Sequence, residues 1–227
     1  MSLKAVFLDF TGVIIDDEAI KQELVADILL SENLRADEDE YTQYCRGRSD
    51  RACLKDILAK RGRILPDEYI DKLLQTKDRG YRQKIDSLAQ LPLAPHVAEF
   101  LTQLKEQNIA VGLVTGTNRS QVEYILEKAE LTQYFDLIIA GDDLAASKPE
   151  PEPYLLAAKN LNLKPSECLA IEDNPVGIEA AKRAKIQVVG ISNIYPLHML
   201  QRQANWTVDD FMEIELDRVD RVLSQAK

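Results

Sequence analysis

Cysteine and long apolar runs are scarce in this chain of 227 residues. The three cysteines, Cys45, Cys53 and Cys168, form no CxxC pair and are too few for a disulfide framework. We therefore expect them to be ordinary small core residues of a protein from a reducing compartment. No apolar run approaches the roughly 18 residues of a membrane span, and no signal-peptide pattern is present. These absences predict a cytoplasmic protein that does not enter a membrane.

Positive charge is scarce as well. The chain has 28 lysines and arginines against 38 aspartates and glutamates, which gives a formal charge of −10 at pH 7. A surface with this balance does not gather polyanions, so we expect neither nucleic acid nor an anionic membrane as a partner. A small phosphorylated metabolite needs only a few local positive groups and remains compatible with this composition. We expect a monomer or a weak homodimer.

Short apolar runs recur along the chain, with helical patterns between them. The runs cover residues 5–8, 110–114, 137–140, 168–171 and 187–191. This alternation predicts an α/β fold, in which a Rossmann-like, doubly wound parallel sheet is covered by helices on both faces. A short run that begins at Trp206 predicts an edge strand.

A long segment without strand patterns separates the first two apolar runs. From residue 16 to about residue 90 the sequence is charged, with apolar residues at helical spacing, which predicts an inserted α-helical cap domain. Pro92 and Pro95 favour an extended exit from this segment. We predict a catalytic core of residues 1–15 and 92–227 and a cap domain of residues 16–91.

Polar segments follow three of the predicted strands, at residues 9–12, 115–118 and 172–174. Ligands of open parallel sheets bind outside the carboxyl ends of the strands, so these segments are expected to converge on one site. Asp9 can attack an electrophile or bind a metal there, although an aspartate can equally cap a turn. Glu172 and Asp173 repel each other, and with Asp9 nearby the cluster calls for a hard cation such as Mg²⁺. Acidic residues are also favoured where a helix begins, which is the alternative for this pair.

Two further residues are candidate phosphate contacts. Lys148 precedes a run of alternating prolines that stiffens its loop and can hold one ammonium group in place. Most lysines are solvated surface groups, so this residue alone is a weak signal. Thr115 and the amides that follow it can donate hydrogen bonds to phosphate oxygens at the start of the next helix.

Taken in order, four segments resemble the motifs of the haloacid-dehalogenase-like superfamily. They are Asp-x-Thr-Gly at residues 9–12, Val-Thr-Gly at 114–116, the Lys148-Pro149 loop and Ile-Glu-Asp-Asn-Pro-Val-Gly-Ile at 171–178. The match spans nearly the whole chain. It is most similar to the subgroup of β-phosphoglucomutase and phosphoglycolate phosphatase, whose helical cap follows the first motif directly.

The resemblance implies a Mg²⁺-dependent hydrolase, namely a phosphatase that acts on a small phosphorylated metabolite. Asp9 would be the nucleophile that forms a phosphoaspartate. Mg²⁺ would be bound by Asp9, the backbone carbonyl of Thr11 and Asp173, with Glu172 in support. Thr115, Gly116 and Lys148 would bind the transferring phosphoryl group. Residues 45–51 resemble the substrate-facing loop of the cap, although a helix-capping Ser49 accounts for this segment equally well. The candidate substrate contacts are Gly47, Arg48, Asn118 and Arg119.

Thr11 departs from the family pattern. Phosphatases and mutases of this superfamily usually have an aspartate there, which protonates the leaving oxygen and later activates water. A threonine hydroxyl can donate a hydrogen bond but cannot transfer a proton near neutral pH, and losing such help typically costs about 10²–10⁴ in rate. We therefore expect a slow or atypical phosphatase.

Two alternatives to a phosphatase are open. One is a phosphonate or other non-phosphoester hydrolase, for which a cap lysine such as Lys55 would form a Schiff base. The other is a phosphate-binding regulatory protein that has lost turnover.

Overall fold

Six parallel strands form a single sheet in the computed structural model, which describes residues 2–225. The strands are β1 (Ala5–Leu8), β2 (Ala110–Val114), β3 (Leu137–Ile139), β4 (Cys168–Glu172), β5 (Gln187–Ile191) and β6 (Trp206–Val208). Their order is β3-β2-β1-β4-β5-β6, so the chain winds outward from β1 in both directions. This order confirms the predicted doubly wound α/β fold, including its edge strand.

Ten α-helices accompany the sheet within the described residues. They are α1 (Glu18–Ser31), α2 (Glu38–Tyr44), α3 (Asp50–Lys60), α4 (Asp67–Asp86), α5 (Val97–Glu106), α6 (Arg119–Lys128), α7 (Glu152–Asn160), α8 (Pro175–Arg183), α9 (Leu197–Leu200) and α10 (Leu216–Gln225). None of the helices found in residues 2–225 is long and apolar enough to cross a membrane.

The central strands are buried on both faces, which explains their nearly continuous apolar sequences. Val6 and Leu8 point into a core shared with α5, α6 and α10, whereas Ala5 and Phe7 point into a core shared with α7, α8 and α9. Leu8 pairs with Leu113 on one side and with Ile171 on the other. The residues that follow β1, β2 and β4 therefore emerge side by side at one edge of the sheet.

Helices α1–α4 form the insertion between β1 and α5, as predicted. They enclose an apolar cluster of their own, which includes Ile28, Leu54 and Leu74. The two connections to the sheet run side by side, because the Asp16 amide donates to the Pro92 carbonyl and the Ala94 amide donates to the Ile14 carbonyl. Division of the chain at residues 15/16 and 91/92 stays a prediction.

The cysteines require a correction. Cys45, which follows α2, and Cys53, in the first turn of α3, form a disulfide, with their Cα atoms 4.3 Å apart. The expectation that all three are unpaired core residues is therefore wrong for this pair and right for the buried Cys168, whose thiol pKa burial raises to about 12. The reason is the tight connection between α2 and α3, which brings together residues eight positions apart.

Candidate active site

Three carboxylates meet where β1 and β4 end. Asp9, Glu172 and Asp173 are buried, and one carboxylate oxygen of each residue lies within 4.8 Å of an oxygen of each of the other two. Asp9 directly follows β1, whereas Glu172 is the last residue of β4 and Asp173 follows it. The parallel register places these residues together, which is the convergence that the sequence predicts.

Lys148 balances part of this negative charge. Its Nζ atom donates to Glu172 Oε1 at 2.6 Å and to the Val114 carbonyl at 2.9 Å, and it lies 3.1 Å from Asp9 Oδ1. Burial works to lower the pKa of Lys148, but the charges of Asp9 and Glu172 outweigh it, so the pKa is raised and the ammonium form is favoured. One fixed cation therefore faces three carboxylates.

Burial disfavours the ionised form of Glu172 and Asp173. Burial, followed by the charge of Asp9, raises the pKa of Glu172 to about 8, although Lys148 and a hydrogen bond from Tyr154 act in the opposite direction. Burial and the charge of Asp9 also raise the pKa of Asp173. Such a cluster is costly without a further cation.

The donor set fits a hard divalent cation. Asp173 Oδ2 is buried and has no hydrogen-bond partner among the described residues, whereas Asp173 Oδ1 accepts from the Asn174 side chain at 2.8 Å. Gly12 leaves the space beside this free oxygen, since a Cβ atom at that position would lie 2.0 Å from Asp173 Oδ2. Gly12 also has a φ of +78°, which glycine tolerates best. An unpartnered carboxylate oxygen beside two other carboxylates suits a hard cation that takes oxygen ligands.

The predicted phosphate-binding residues lie next to this cluster. Thr115 follows β2, is buried, and its Oγ1 atom accepts from the Thr117 amide at 3.1 Å. Gly116 touches the cap, because a Cβ atom there would lie 2.4 Å from the Arg48 carbonyl oxygen. Thr115 and Gly116 line the same cavity as Asp9, and the Lys148 ammonium group contacts the Asp9 carboxylate.

This cavity lies between the helical insertion and the edge of the sheet and has a volume of about 30 Å³. Its cap side is unusually rich in charge. Lys77 pairs with Asp50 at 2.9 Å, and Arg46 pairs with Glu18 at 2.8 Å. The insertion and the edge of the sheet therefore leave only a narrow space beside Asp9.

The four candidate substrate contacts separate into two pairs. Gly47 and Arg48 line the cavity, and Arg48 also pairs with Asp56 at 2.7 Å. Asn118 and Arg119 lie outside the residues that line it. Asn118 donates to a carboxylate of α4, whereas Arg119 pairs with Asp143 near the surface.

The sequence reasoning missed several cavity residues that come from the insertion. They are Glu18, Lys21 and Lys77, all on helices, whereas Arg46 and Asp50 belong to the predicted loop of residues 45–51. Their helical spacing identified helices but carried no signal of which face would meet the sheet. Lys55, the lysine considered for a Schiff base, is instead half-exposed and pairs with Asp67.

The fold and the carboxylate cluster define a hydrolase class built on a doubly wound sheet with a helical insertion. The family model of the haloacid dehalogenase-like hydrolases matches residues 3–185 of this chain. This chain belongs to that family. The resemblance inferred from the four motifs is thereby confirmed.

Named relatives lie in the expected subgroup. The chain is 31% identical to β-phosphoglucomutase of Bacillus subtilis over 198 residues, which cover 86% of each protein. It is 34% identical to phosphoglycolate phosphatase of Salmonella typhimurium over 151 residues, or 65% of this chain and 59% of that protein. The crystal structure of β-phosphoglucomutase from Clostridium difficile shares the fold with a TM-score of 0.85, at 23% identity, covering 99% of this chain and 98% of that chain.

Proposed function

We propose that this protein is a Mg²⁺-dependent phosphatase that hydrolyses a small phosphorylated metabolite, a phosphoric monoester, through a phosphoaspartate at Asp9. The observation that carries the proposal is the buried cluster of Asp9, Glu172 and Asp173 with Lys148 against it. The names of the relatives, β-phosphoglucomutase and phosphoglycolate phosphatase, agree with a small phosphorylated substrate.

Magnesium would be bound by the side chains of Asp9 and Asp173 and by the backbone carbonyl of Thr11, with Glu172 in support. Bound there, it would neutralise charge on the oxygens of the transferring phosphoryl group. The unpartnered Oδ2 atom of Asp173 supports this ligand set.

The protein's own groups would supply the nucleophile and the phosphate contacts. A carboxylate oxygen of Asp9 would attack the phosphorus and displace the leaving oxygen. The Thr115 hydroxyl, the Gly116 amide and the Lys148 ammonium would bind the remaining phosphoryl oxygens. Lys148 suits this role because Glu172 and the Val114 carbonyl hold its ammonium group in one position. Positioning and charge neutralisation account for most of phosphoryl-transfer catalysis.

The helical insertion would act as a cap that encloses and selects the substrate. Gly47 and Arg48 already line the cavity and are the stronger candidates for substrate contacts. Asn118 and Arg119 would act only on a larger substrate or in an open cap, since both contact other side chains in the closed arrangement.

Thr11 makes the expected phosphatase slow and favours a second candidate, a phosphate-binding regulatory protein without turnover. A phosphonate or other non-phosphoester hydrolase is the weaker alternative, because Lys55 lies at the surface in an ion pair with Asp67. We place the protein in the cytoplasm as a monomer or weak homodimer, and the charge of −10 supports a partner other than nucleic acid. The Cys45–Cys53 disulfide removes cysteine usage as a support for this placement.

Hydrolysis of an activated aryl phosphate tests the proposal. The assay compares wild type, Thr11→Asp and Asp9→Asn, each with and without Mg²⁺. Turnover by the wild type that needs both Mg²⁺ and Asp9 would support the phosphatase. Activity confined to Thr11→Asp would favour the binding protein, and inactivity of all three would contradict phosphoryl transfer at this site.

A further inference from the structure

Lys21 is a buried lysine that reaches from the insertion to the floor of the cavity. It lies in the first turn of α1, and its side chain is 9% exposed. Its Nζ atom donates to Thr11 Oγ1 and, at 2.5 Å, to Thr117 Oγ1. Through the first of these bonds it contacts the residue that departs from the family pattern, two positions after Asp9.

Lys21 has one carboxylate nearby, but none within hydrogen-bond distance. The nearest carboxylate is Asp17, the residue just before α1, whose Oδ2 atom lies 3.7 Å away, beyond hydrogen-bond distance. That oxygen already accepts from the Tyr81 hydroxyl at 2.6 Å. Burying an ammonium group is costly unless it is closely paired, so an anion placed in the cavity would improve its surroundings.

The other cations of the cavity have carboxylate partners within hydrogen-bond distance. Lys77 bonds to Asp50 at 2.9 Å, Arg46 to Glu18 at 2.8 Å and Arg48 to Asp56 at 2.7 Å. Among the cations that line the cavity within residues 2–225, Lys21 therefore stands apart, because its hydrogen bonds go to neutral hydroxyl groups.

We propose that Lys21 is a catalytic residue that stabilises the negative charge on the leaving oxygen, in the place where the family's aspartic acid would protonate it. This inference rests on the proposed phosphatase function. A fixed ammonium group that donates a hydrogen bond stabilises developing charge without any proton transfer. Thr11 positions the ammonium by accepting one of its hydrogen bonds.

Attack by Asp9 and departure of the leaving oxygen are one displacement at phosphorus. An oxygen of Asp9 forms a bond to phosphorus while the bond from phosphorus to the leaving oxygen breaks. The bonding electron pair stays on the leaving oxygen, which departs as an anion hydrogen-bonded to Lys21. It takes a proton from water after release, and hydrolysis of the phosphoaspartate then returns the Asp9 carboxylate and inorganic phosphate.

This arrangement identifies a class of substrate. A lysine that stabilises but does not protonate the leaving oxygen serves substrates whose leaving group is a weak base. Enol, acyl, aryl and anomeric phosphates have such leaving groups, whereas phosphates of simple primary alcohols do not. We therefore expect the protein to prefer the first group.

A series of aryl phosphates, from dinitrophenyl to phenyl phosphate, tests the role of Lys21. Removing one donor to a developing oxyanion costs about 10²–10³ in rate, so Lys21→Met should lower kcat/KM, which reports transfer to Asp9, by about this factor for phenyl phosphate. The loss should be smaller for the dinitrophenyl ester, since its leaving group needs less stabilisation. The dependence of kcat/KM on leaving-group basicity should thus become steeper.

Three further variants separate charge from structure. Lys21→Arg should recover part of the rate, whereas Lys21→Gln, which keeps hydrogen-bond donors without charge, should not. Lys84→Met is the matched control, because Lys84 pairs with Glu23 on the outer side of the insertion. It should behave like the wild type.

The outcomes distinguish this inference from the proposed function. A wild type no faster than Asp9→Asn would contradict the phosphatase itself. An active wild type, together with Lys21→Met or Lys21→Gln of unchanged rate and unchanged dependence on the leaving group, would overturn the role of Lys21 and leave the phosphatase standing. Should Lys21→Met fail to fold, Lys21→Gln decides.

Discussion

The side chain of Asn174 connects the N-terminus of α8 to the carboxylate cluster. Its side-chain oxygen accepts from the Gly177 amide at 2.9 Å and so caps α8, while its side-chain nitrogen donates to Asp173 at 2.8 Å. Asn174→Ala should lower the free energy of unfolding by about 1 kcal/mol through loss of the cap. It should also weaken Mg²⁺ binding at least about tenfold, because the carboxylate loses the group that orients it. Chemical denaturation and calorimetric titration with Mg²⁺ measure the two effects.

Asn174→Ser separates these effects. Serine caps a helix about as well as asparagine, but its hydroxyl is shorter than the amide that reaches Asp173. We expect this variant to keep the wild-type stability and to share the weakened Mg²⁺ binding of Asn174→Ala. Equal Mg²⁺ affinity in all three proteins would show that Asn174 does not orient the site.

The residues that the sequence predicted correctly as neighbours share one property. Asp9, Glu172 and Asp173 each follow or end a strand, so the parallel register alone decides where they meet. Lys21 and Lys77 were missed because they enter the site from helices, and their place depends on how the insertion packs against the sheet. That packing is a long-range property that helical periodicity does not encode.

At the scale of elements, a polar contact holds α4 against α6. Asp78 on α4 accepts from the Asn118 amide at 3.4 Å, the Ser120 hydroxyl at 2.8 Å and the buried Gln121 side chain. Asp78→Ala would leave these donors unpaired, at a cost on the order of 1–3 kcal/mol to the closed arrangement. We expect the cap to open more often, seen as faster limited proteolysis of the insertion and a raised KM.

Gln75→Ala is the control for that prediction, because Gln75 is an exposed residue of the same helix. It should match the wild type in both measurements. If Asp78→Ala showed unchanged proteolysis and KM while still folding, the α4–α6 contact would have no part in closing the cap.

The disulfide joins two elements of the insertion beside the predicted substrate loop. It closes a short loop that contains Gly47 and Arg48, and a loop of this length restricts the unfolded chain by about 2.5 kcal/mol. We expect reductant to lower the free energy of unfolding by about this amount. Thiol counting in denaturant should find one free thiol before reduction and three afterwards. The double variant Cys45→Ser/Cys53→Ser should be insensitive to reductant, and three free thiols in the untreated protein would contradict the pairing.

The sequence predicted the strands of the sheet most accurately, because their apolar sequences match their burial. The apolar runs became β1–β5 with small differences at their ends, because strands buried on both faces need apolar residues throughout. The pairing of Cys45 with Cys53 was not predicted, because it depends on how two helices are connected and not on the pattern within one element. The sequence shows the spacing of Cys45 and Cys53, but only the turn between α2 and α3 brings their side chains together.

At the scale of the whole molecule, the buried carboxylate cluster links stability to pH and to metal. Burial raises the pKa of Glu172 from 4.5 to about 8, and Asp173 shifts in the same direction. An acid with a raised pKa in the folded state keeps its proton while the unfolded chain loses it. The metal-free protein should therefore lose stability as pH rises from about 4.5 to about 8.

Magnesium should reverse this loss, because a divalent cation favours the ionised carboxylates and competes with their protons. At roughly 100 times its Kd, a ligand adds about 2.7 kcal/mol. For a chain of this size that corresponds to a rise in Tm of about 5–10 °C. We expect such a rise at pH 8 and a smaller one at pH 6, measured by thermal unfolding after removal of metal with EDTA. Asp173→Asn should lose most of the response, since it removes the carboxylate with the free oxygen. A Tm that ignores Mg²⁺ at pH 8, or that rises equally in Asp173→Asn, would show that the cluster is not the metal site.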